Sequence, residues 1–166
     1  GVFNIVSALV QAPLGFLVDR AGARRMLLAA LALGSLSFSL LAIFPTYLCL
    51  LVAMGLAGLA NGVYHPADYS LLSRGIVPER MGRAFSIHTF AGFLGAALAP
   101  PLMVGAALAW EPRWSFAIAA GAGLVGLFVV GLGSPEPAKA ASPTATEKAK
   151  VRARPLTTPL GTLAVL

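Results

Sequence analysis

Long apolar segments alternate with short polar ones along the first 133 residues of the chain. The pattern predicts five membrane-spanning helices, at residues 1–17, 26–44, 47–72, 84–109 and 115–132. A spanning helix needs about 20 mostly apolar residues, so the first segment is short by a few residues and the others reach or approach that length. We therefore predict an all-α fold, a polytopic membrane helix bundle over residues 1–133.

The basic residues separate these segments. Eleven of the twelve Lys and Arg residues form three clusters. The clusters are Arg20, Arg24 and Arg25; Arg74, Arg80 and Arg83; and Lys139, Lys148, Lys150, Arg152 and Arg154. If every apolar segment crosses the bilayer, the three clusters share one side and Arg113 alone lies on the other. Cytoplasmic loops are enriched in Lys and Arg, which predicts that 18–25, 73–83 and 134–159 are cytoplasmic.

Composition agrees with a membrane protein. The chain is 58% hydrophobic and 11% charged, whereas a soluble domain carries roughly 25% charged residues. The net charge of +6 is interpreted as topology and contact with anionic lipid headgroups. Nucleic-acid binding is not expected, because the basic residues do not gather on one folded face with aromatic or polar readers. Two His and one Cys on different spans lack metal-ligand spacing, so neither a metal nor a cofactor is expected.

The last part of the chain differs from the rest. Residues 134–159 are rich in Pro, Ala, Thr and Lys, a composition that cannot bury enough apolar surface to offset the entropy of ordering. We predict a flexible cytoplasmic linker there, and the start of another span at 160–166. A basic linker between two groups of spans suggests two helical bundles, so the expected partner of residues 1–133 is a C-terminal half of the same chain.

The first basic loop carries the most specific motif. Gly15 allows two helices to approach closely, and Gly22 supplies a turn. Asp19 ends one helix, where a carboxylate can accept hydrogen bonds from the N-terminus of a neighbouring helix. A plain hairpin held at the inner leaflet by Arg20 and Arg25 is the alternative interpretation.

This loop resembles the signature loop of the major facilitator superfamily, G-x-L-x-D-R-x-G-R-[RK]-x-x-L. The matching residues are Gly15, Leu17, Asp19, Arg20, Gly22, Arg24 and Leu27. The resemblance implies a conformational latch between the second and third helices of that family, so that the five spans become family helices two to six. Ala23 stands where a basic residue is usual, so Arg24 or Arg20 would have to substitute in the pairing.

The third span contains the polar residues of greatest interest. Asn61 lies near its middle, and His65 and Asp68 lie further toward the basic end. Ionisable residues inside a membrane face the bundle interior and mark proton or substrate pathways. His65 and Asp68 share a helical face, and because histidine titrates near neutrality, the two could load and release a proton. Tyr64 joins this candidate pathway, and Pro66 disrupts a backbone hydrogen bond.

Other interpretations of these residues stay open. Asp68 could be the structural partner of Arg20 or Arg24 in the latch. His65 and Tyr64 could be packing residues. His88, about one turn from the inner end of the fourth span, is either a pathway residue or a boundary residue.

The segment 61–67, Asn-Gly-Val-Tyr-His-Pro-Ala, and the basic loop that follows it resemble the fosmidomycin-resistance-like branch of drug exporters. The Arg that is usual in helix four of the superfamily is replaced by Met54, so coupling through that Arg is not expected. In the fourth span, small residues and prolines permit close packing and a bend. These are Gly92, Gly95, Pro100 and Pro101. They are similar to the antiporter motif of helix five, or belong to an ordinary Gly/Pro membrane helix.

These features predict a secondary transporter, a proton-coupled antiporter that exports a small molecule or drug by alternating access around a midplane site. Its expected partners are the lipid bilayer, a small-molecule substrate and protons. The resemblance places it in a bacterial-type plasma (inner) membrane. A metabolite importer of the same superfamily and a non-transporting membrane domain are the alternatives. No catalytic constellation stands out, so the chain is not expected to be an enzyme.

Overall fold

The computed structural model describes residues 1–133, and these form five long α-helices. The helices are α1 (Val2–Ala21), α2 (Ala23–Ile43), α3 (Tyr47–Gly75), α4 (Met81–Ala109) and α5 (Pro112–Leu132), with a 3₁₀ turn at Pro78–Arg80. All five are long and apolar enough to cross a membrane, and the described residues contain no strand. The predicted all-α bundle of five spans is confirmed. The predicted linker and next span, 134–159 and 160–166, lie outside the described residues.

The helix ends follow local chemistry. Gly22 joins α1 to α2 with φ 95°, a conformation that side-chain-bearing residues rarely adopt. The Thr46 side chain caps α3 by accepting a hydrogen bond from the backbone N–H of Cys49 at 3.3 Å, as expected for an N-cap residue. Pro112 occupies the start of α5, where its missing N–H costs nothing. The chain therefore reverses direction over very few residues at each of these points.

Packing is uneven across the bundle. α3 packs against both α1 and α2, α2 also packs against α5, and α4 packs chiefly on α5. The buried core lies between α1, α2 and α3 and consists mainly of small side chains. Its members are Val18, Ala23, Leu27, Ala30, Ala60, Val63 and Ala67. Small residues suit a membrane bundle, because helices associate there through close van der Waals contact between backbones.

Glycines on α3 allow α1 to come very close. A Cβ placed on Gly58 would lie 2.7 Å from the carbonyl oxygen of Phe3, and one on Gly62 would lie 2.6 Å from Cγ2 of Val10. The first distance is too short for a non-bonded carbon and oxygen, and the second for two non-bonded carbons. The crossing of α1 and α3 therefore requires hydrogen in place of a side chain at these two positions.

The predicted packing glycines of α4 have a different environment. Gly92 and Gly95 have no atom of another described residue within 4 Å of an added Cβ. α4 stays helical through Pro100 and Pro101. Its outer end is held to α5 by the Ser115 hydroxyl, which donates to the carbonyl oxygen of Met103 at 2.6 Å. The helices described here leave the Gly92 and Gly95 face of α4 uncovered.

Candidate functional site

The candidate site lies at the basic end of the bundle, where α1, α3 and α5 finish and α2 and α4 begin. An ion pair joins Asp19 of α1 to Arg74 of α3, with 3.6 Å between the carboxylate and the guanidinium. The Asp19 side chain is 68% exposed and that of Arg74 is 21% exposed. The contact brings the first two basic clusters to the same end of the bundle, as the alternation of spans requires.

Arg24 brings the end of α5 to the same place. Its Nη2 donates hydrogen bonds to the carbonyl oxygens of Val130, Gly131 and Gly133, at 3.1, 2.8 and 3.0 Å. The last carbonyls of a helix have no partner within the helix, and a cation at this end also interacts favourably with the helix dipole. Arg24 therefore caps α5, a role that its sequence neighbourhood does not reveal.

The other residues of the latch motif take separate positions. Arg20 and Arg25 are exposed at the basic end, where they can meet lipid headgroups or solvent. Gly15 faces α3, since a Cβ added to it would lie 4.0 Å from the Cβ of Pro66. A cavity of about 340 Å³ opens beside these two residues. The motif thus borders a space between α1 and α3 and supplies contacts to α3 and α5.

Asp68 and His88 meet across two helices. The Asp68 carboxylate on α3 lies 3.8 Å from Nε2 of His88 on α4, with side-chain exposures of 25% and 36%. Among the described residues, the basic group that lies beside Asp68 is His88. The sequence-based alternative, a pairing of Asp68 with Arg20 or Arg24, stays a prediction. α3 and α4 have few contacts with each other, and the Asp68–His88 pair is one of them.

Aromatic rings lie beside the Asp68–His88 pair. The ring of Tyr69 lies 6.0 Å from His65, 5.4 Å from Phe85 and 6.3 Å from His88, measured between centroids. Such separations suit tilted and edge-on aromatic contacts. The structure therefore gathers the three ionisable pathway residues predicted from the sequence. The sequence left Tyr69 open between a packing and a binding role, and it did not identify Phe85. Tyr69 follows His65 by four residues, which places both on one helical face.

Asn61 and Tyr64 point to other helices. The Asn61 amide donates to the Ser7 hydroxyl of α1 at 2.8 Å, and Ser7 is buried. The Tyr64 hydroxyl donates to the carbonyl oxygen of Ala30 on α2 at 3.4 Å. These contacts fit the packing alternative for Tyr64 and place Asn61 within the α1–α3 interface. Residues 1–133 contain no group of three or more His, Cys, Asp or Glu side chains with which to hold a metal ion.

Comparison with known proteins places the chain in a family. The family model of the Major Facilitator Superfamily matches residues 1–165. The chain is similar to a multidrug resistance protein B homolog of Mycobacterium tuberculosis, with 28% identity over 84% of this chain and 26% of that protein. It is also similar to the probable anion transporter 7 of Oryza sativa subsp. japonica, with 36% identity over 54% of this chain and 20% of that protein.

Another relative is the probable anion transporter 5 of Arabidopsis thaliana, with 34% identity over 58% of this chain and 22% of that protein. The chain thus spans about a quarter of the length of the multidrug resistance relative. The superfamily resemblance predicted from the first loop is confirmed, and the narrower resemblance to the fosmidomycin-resistance-like branch stays a prediction. With five helices of membrane-spanning length, the protein is a multi-pass integral membrane protein, and it belongs to the Major Facilitator Superfamily.

Proposed function

We propose that the protein is a proton-coupled secondary transporter that exports a small molecule by antiport. Membership of a transporter superfamily supports transport, and the name of the mycobacterial relative supports export of drug-like compounds. Two helical halves would rock around a substrate site near the membrane midplane. Residues 1–133 would contribute most of one half, and the remaining half would complete the site.

The Asp68–His88 pair is the observation that carries the proposed proton coupling. The Asp68 carboxylate lies 3.8 Å from Nε2 of His88, and when that imidazole carries a proton the two groups attract each other, more strongly at low effective dielectric than in water. When a proton neutralises Asp68, this attraction is lost and α3 and α4 are held less firmly. A proton can therefore favour one arrangement of these helices over another, which is the differential free energy that a state change needs.

Neighbouring groups complete this proton site. His65 is the second imidazole beside Asp68, and the ring of Tyr69 lies between the two histidines. α1 and α2 also give the third helix the Ser7 hydroxyl and a backbone carbonyl, which are not ionisable. The charged group that faces α3 from α1 is Asp19, which pairs with Arg74. The proton would reach and leave Asp68 through the exposed His65.

The basic end is proposed to face the cytoplasm of a bacterial-type cell, with loops 18–25 and 73–83 in that compartment. The positive-inside rule supports this orientation. The Asp19–Arg74 ion pair and the Arg24 cap of α5 add support, because they draw three helix ends to one face. Their position suggests that they hold the cytoplasmic side of the bundle together in one transport state and separate in the other.

Asp68→Asn tests the proton role in the full-length protein reconstituted into proteoliposomes. A panel of lipophilic cations and organic anions is added under an imposed pH gradient, and a gradient-sensitive dye reports proton movement. We expect the wild type to dissipate the gradient with at least one compound. The variant should lose roughly tenfold or more of this response, because one lost ion pair of about 1.4 kcal/mol or more corresponds to that factor.

Glu111→Gln is the matched control, since Glu111 is a carboxylate in an exposed ion pair at the opposite end of the bundle. It should keep the wild-type response. His88→Gln, which removes the partner and keeps the carboxylate, should alter the pH dependence of transport. A wild-type pH dependence in Asp68→Asn, with normal folding, would contradict proton coupling through this pair.

Anion transport is the second candidate function. It is favoured by the rice and Arabidopsis relatives, both named as probable anion transporters. Labelled organic anions and lipophilic cations distinguish the two candidates by which class the protein moves in cells. The direction of movement then separates an exporter, which depletes its substrate from cells, from a metabolite importer, which accumulates it. A membrane domain without transport activity would give no proton movement with any compound.

A further inference from the structure

A cavity of about 510 Å³ lies where α3 turns into α4, apart from the Asp68–His88 site. Its lining combines apolar side chains with two arginines. The apolar contribution comes from Ile76, Val77 and Ile87, and the cations are Arg80 and Arg83. The volume falls within the usual range for ligand pockets, roughly 300–1,000 Å³. The lining therefore presents positive charge and hydrocarbon to one cavity of ligand size.

The two arginines are available to a ligand. Both are exposed. Arg80 is the N-cap of α4 and Arg83 lies in its first turn, so their side chains project from neighbouring positions. Asp19, Asp68 and Glu111 each have a partner other than Arg80 or Arg83. Glu79 precedes Arg80 but does not line the cavity.

The cavity lies at the depth of lipid headgroups. α3 has 29 residues, which at about 1.5 Å per residue gives a length of about 43 Å. A bilayer measures about 30 Å across its hydrocarbon core and about 40–45 Å with headgroups. A helix that starts at one headgroup region therefore ends at the other, which places Gly75 and the cavity just beyond it at the polar boundary.

The apolar part of the lining faces outward. Val77 and Ile87 are 55% and 58% exposed, an arrangement that water disfavours and acyl chains favour. A guanidinium binds phosphate oxygens with two parallel hydrogen bonds, and its stem can lie along hydrocarbon while its charged head reaches the headgroup layer. Phosphate and hydrocarbon in one ligand is the chemistry of a phospholipid.

We propose that this cavity binds an anionic phospholipid, with the headgroup phosphate on Arg80 and Arg83 and an acyl chain along Val77 and Ile87. The bound lipid would brace the turn between α3 and α4. Lipid composition would thereby influence the two helices that the Asp68–His88 pair connects. The binding site itself does not depend on the proposed proton coupling, so the two can fail separately.

Binding is tested on the purified full-length protein in detergent by native mass spectrometry. The probes are phosphatidylglycerol, phosphatidylcholine with the same acyl chains, and inorganic phosphate. We expect tight binding of phosphatidylglycerol and weak binding of the zwitterionic lipid. Since each basic residue near a membrane surface contributes about 1 kcal/mol, Arg83→Gln should weaken phosphatidylglycerol binding roughly fivefold, and Arg80→Gln with Arg83→Gln roughly thirtyfold.

Arg25→Gln is the matched control, because it removes one exposed positive charge from the same end of the protein but not from the cavity. It should leave the tightest binding event unchanged, and Arg83→Lys should restore much of the affinity lost in Arg83→Gln. Ile87→Asn should weaken binding of the lipid, which keeps a test available if the arginine variants fold poorly.

Three outcomes would overturn the proposal. An equal loss of phosphatidylglycerol affinity in Arg25→Gln would show that the lipid responds to the overall positive charge and not to the cavity. Equal binding of phosphatidylcholine would show that the arginines do not distinguish an anionic headgroup from a zwitterionic one. Displacement of the lipid by inorganic phosphate, with no effect of Ile87→Asn, would identify a free-anion site instead.

Discussion

The helices α3 and α4 are of equal length, 29 residues each, and both contain glycines at close spacing and internal proline. Their surroundings differ sharply. One third of the most apolar window of α3 is buried, compared with 6% of that of α4. Gly58 and Gly62 of α3 touch α1, whereas Gly92 and Gly95 of α4 touch no other described residue.

A pattern of small residues therefore identifies a helix face that permits close packing, but it does not identify which helix packs there. Both patterns permit backbone contact, but only the one on α3 is used within residues 1–133. Because lipid tails are as apolar as the side chains of the helices, burial does not by itself select a partner in the membrane. The following substitutions test whether α3 and α4 differ in packing as described.

Gly58→Val should have the largest effect on stability. The new Cβ would lie 2.7 Å from a backbone oxygen of α1, which cannot rotate away as a side chain can. We expect a loss of about 3 kcal/mol, toward the upper end of overpacking costs, seen as a lower thermal unfolding temperature of the purified protein. Gly121→Val is the control, since its Cβ meets no atom within 4 Å. Equal losses in both would contradict the tight crossing of α1 and α3.

Removal of the hydrogen bond between Asn61 and Ser7 should have a smaller effect. A double-mutant cycle with Asn61→Ala and Ser7→Ala should give a coupling energy of about 0.6 kcal/mol and no more than about 1.7 kcal/mol, the range for such bonds in membranes. Ser37→Ala supplies the control pair, because the Ser37 hydroxyl donates to Gly34 within its own helix. Coupling of Asn61 to Ser37 as strong as to Ser7 would show that the cycle reports general loosening.

Gly95→Val should have the smallest effect, within about 0.5 kcal/mol, as for substitutions away from packed features. The measurement is the same thermal unfolding experiment, with Gly58→Val alongside. A loss as large as that of Gly58→Val would show that another helix of the full-length protein packs on this face of α4. The contrast between α3 and α4 would then belong to residues 1–133 alone.

Hydropathy alone does not predict where the helices end. The first span was predicted to finish at Leu17, but α1 continues to Ala21, and α3 continues past Leu72 to Gly75. In both cases the helix extends through charged residues that belong to the membrane boundary. Hydropathy measures the hydrocarbon-embedded part, whereas the backbone stays helical until a residue such as Gly22 turns the chain.

The candidate site was predictable in part. His65, Asp68 and His88 were identified because ionisable side chains inside apolar spans are costly and therefore rarely without a role. The same reasoning grouped Tyr64 and Asn61 with them, although the structure directs both toward neighbouring helices. The spacing of residues along one helix shows which side chains share a face. It does not show which neighbouring helix lies against that face.

Hydrophobicity, charge and a local motif can be read from the sequence, and they give the number of spans, the common side of the basic loops and the superfamily. The fold was needed to find the pairing of Asp19 with Arg74, of Asp68 with His88 and of Arg24 with the end of α5. These pairings join residues far apart in the chain. They depend on how each helix is rotated and which helix lies beside it, and that is set by packing of the whole bundle.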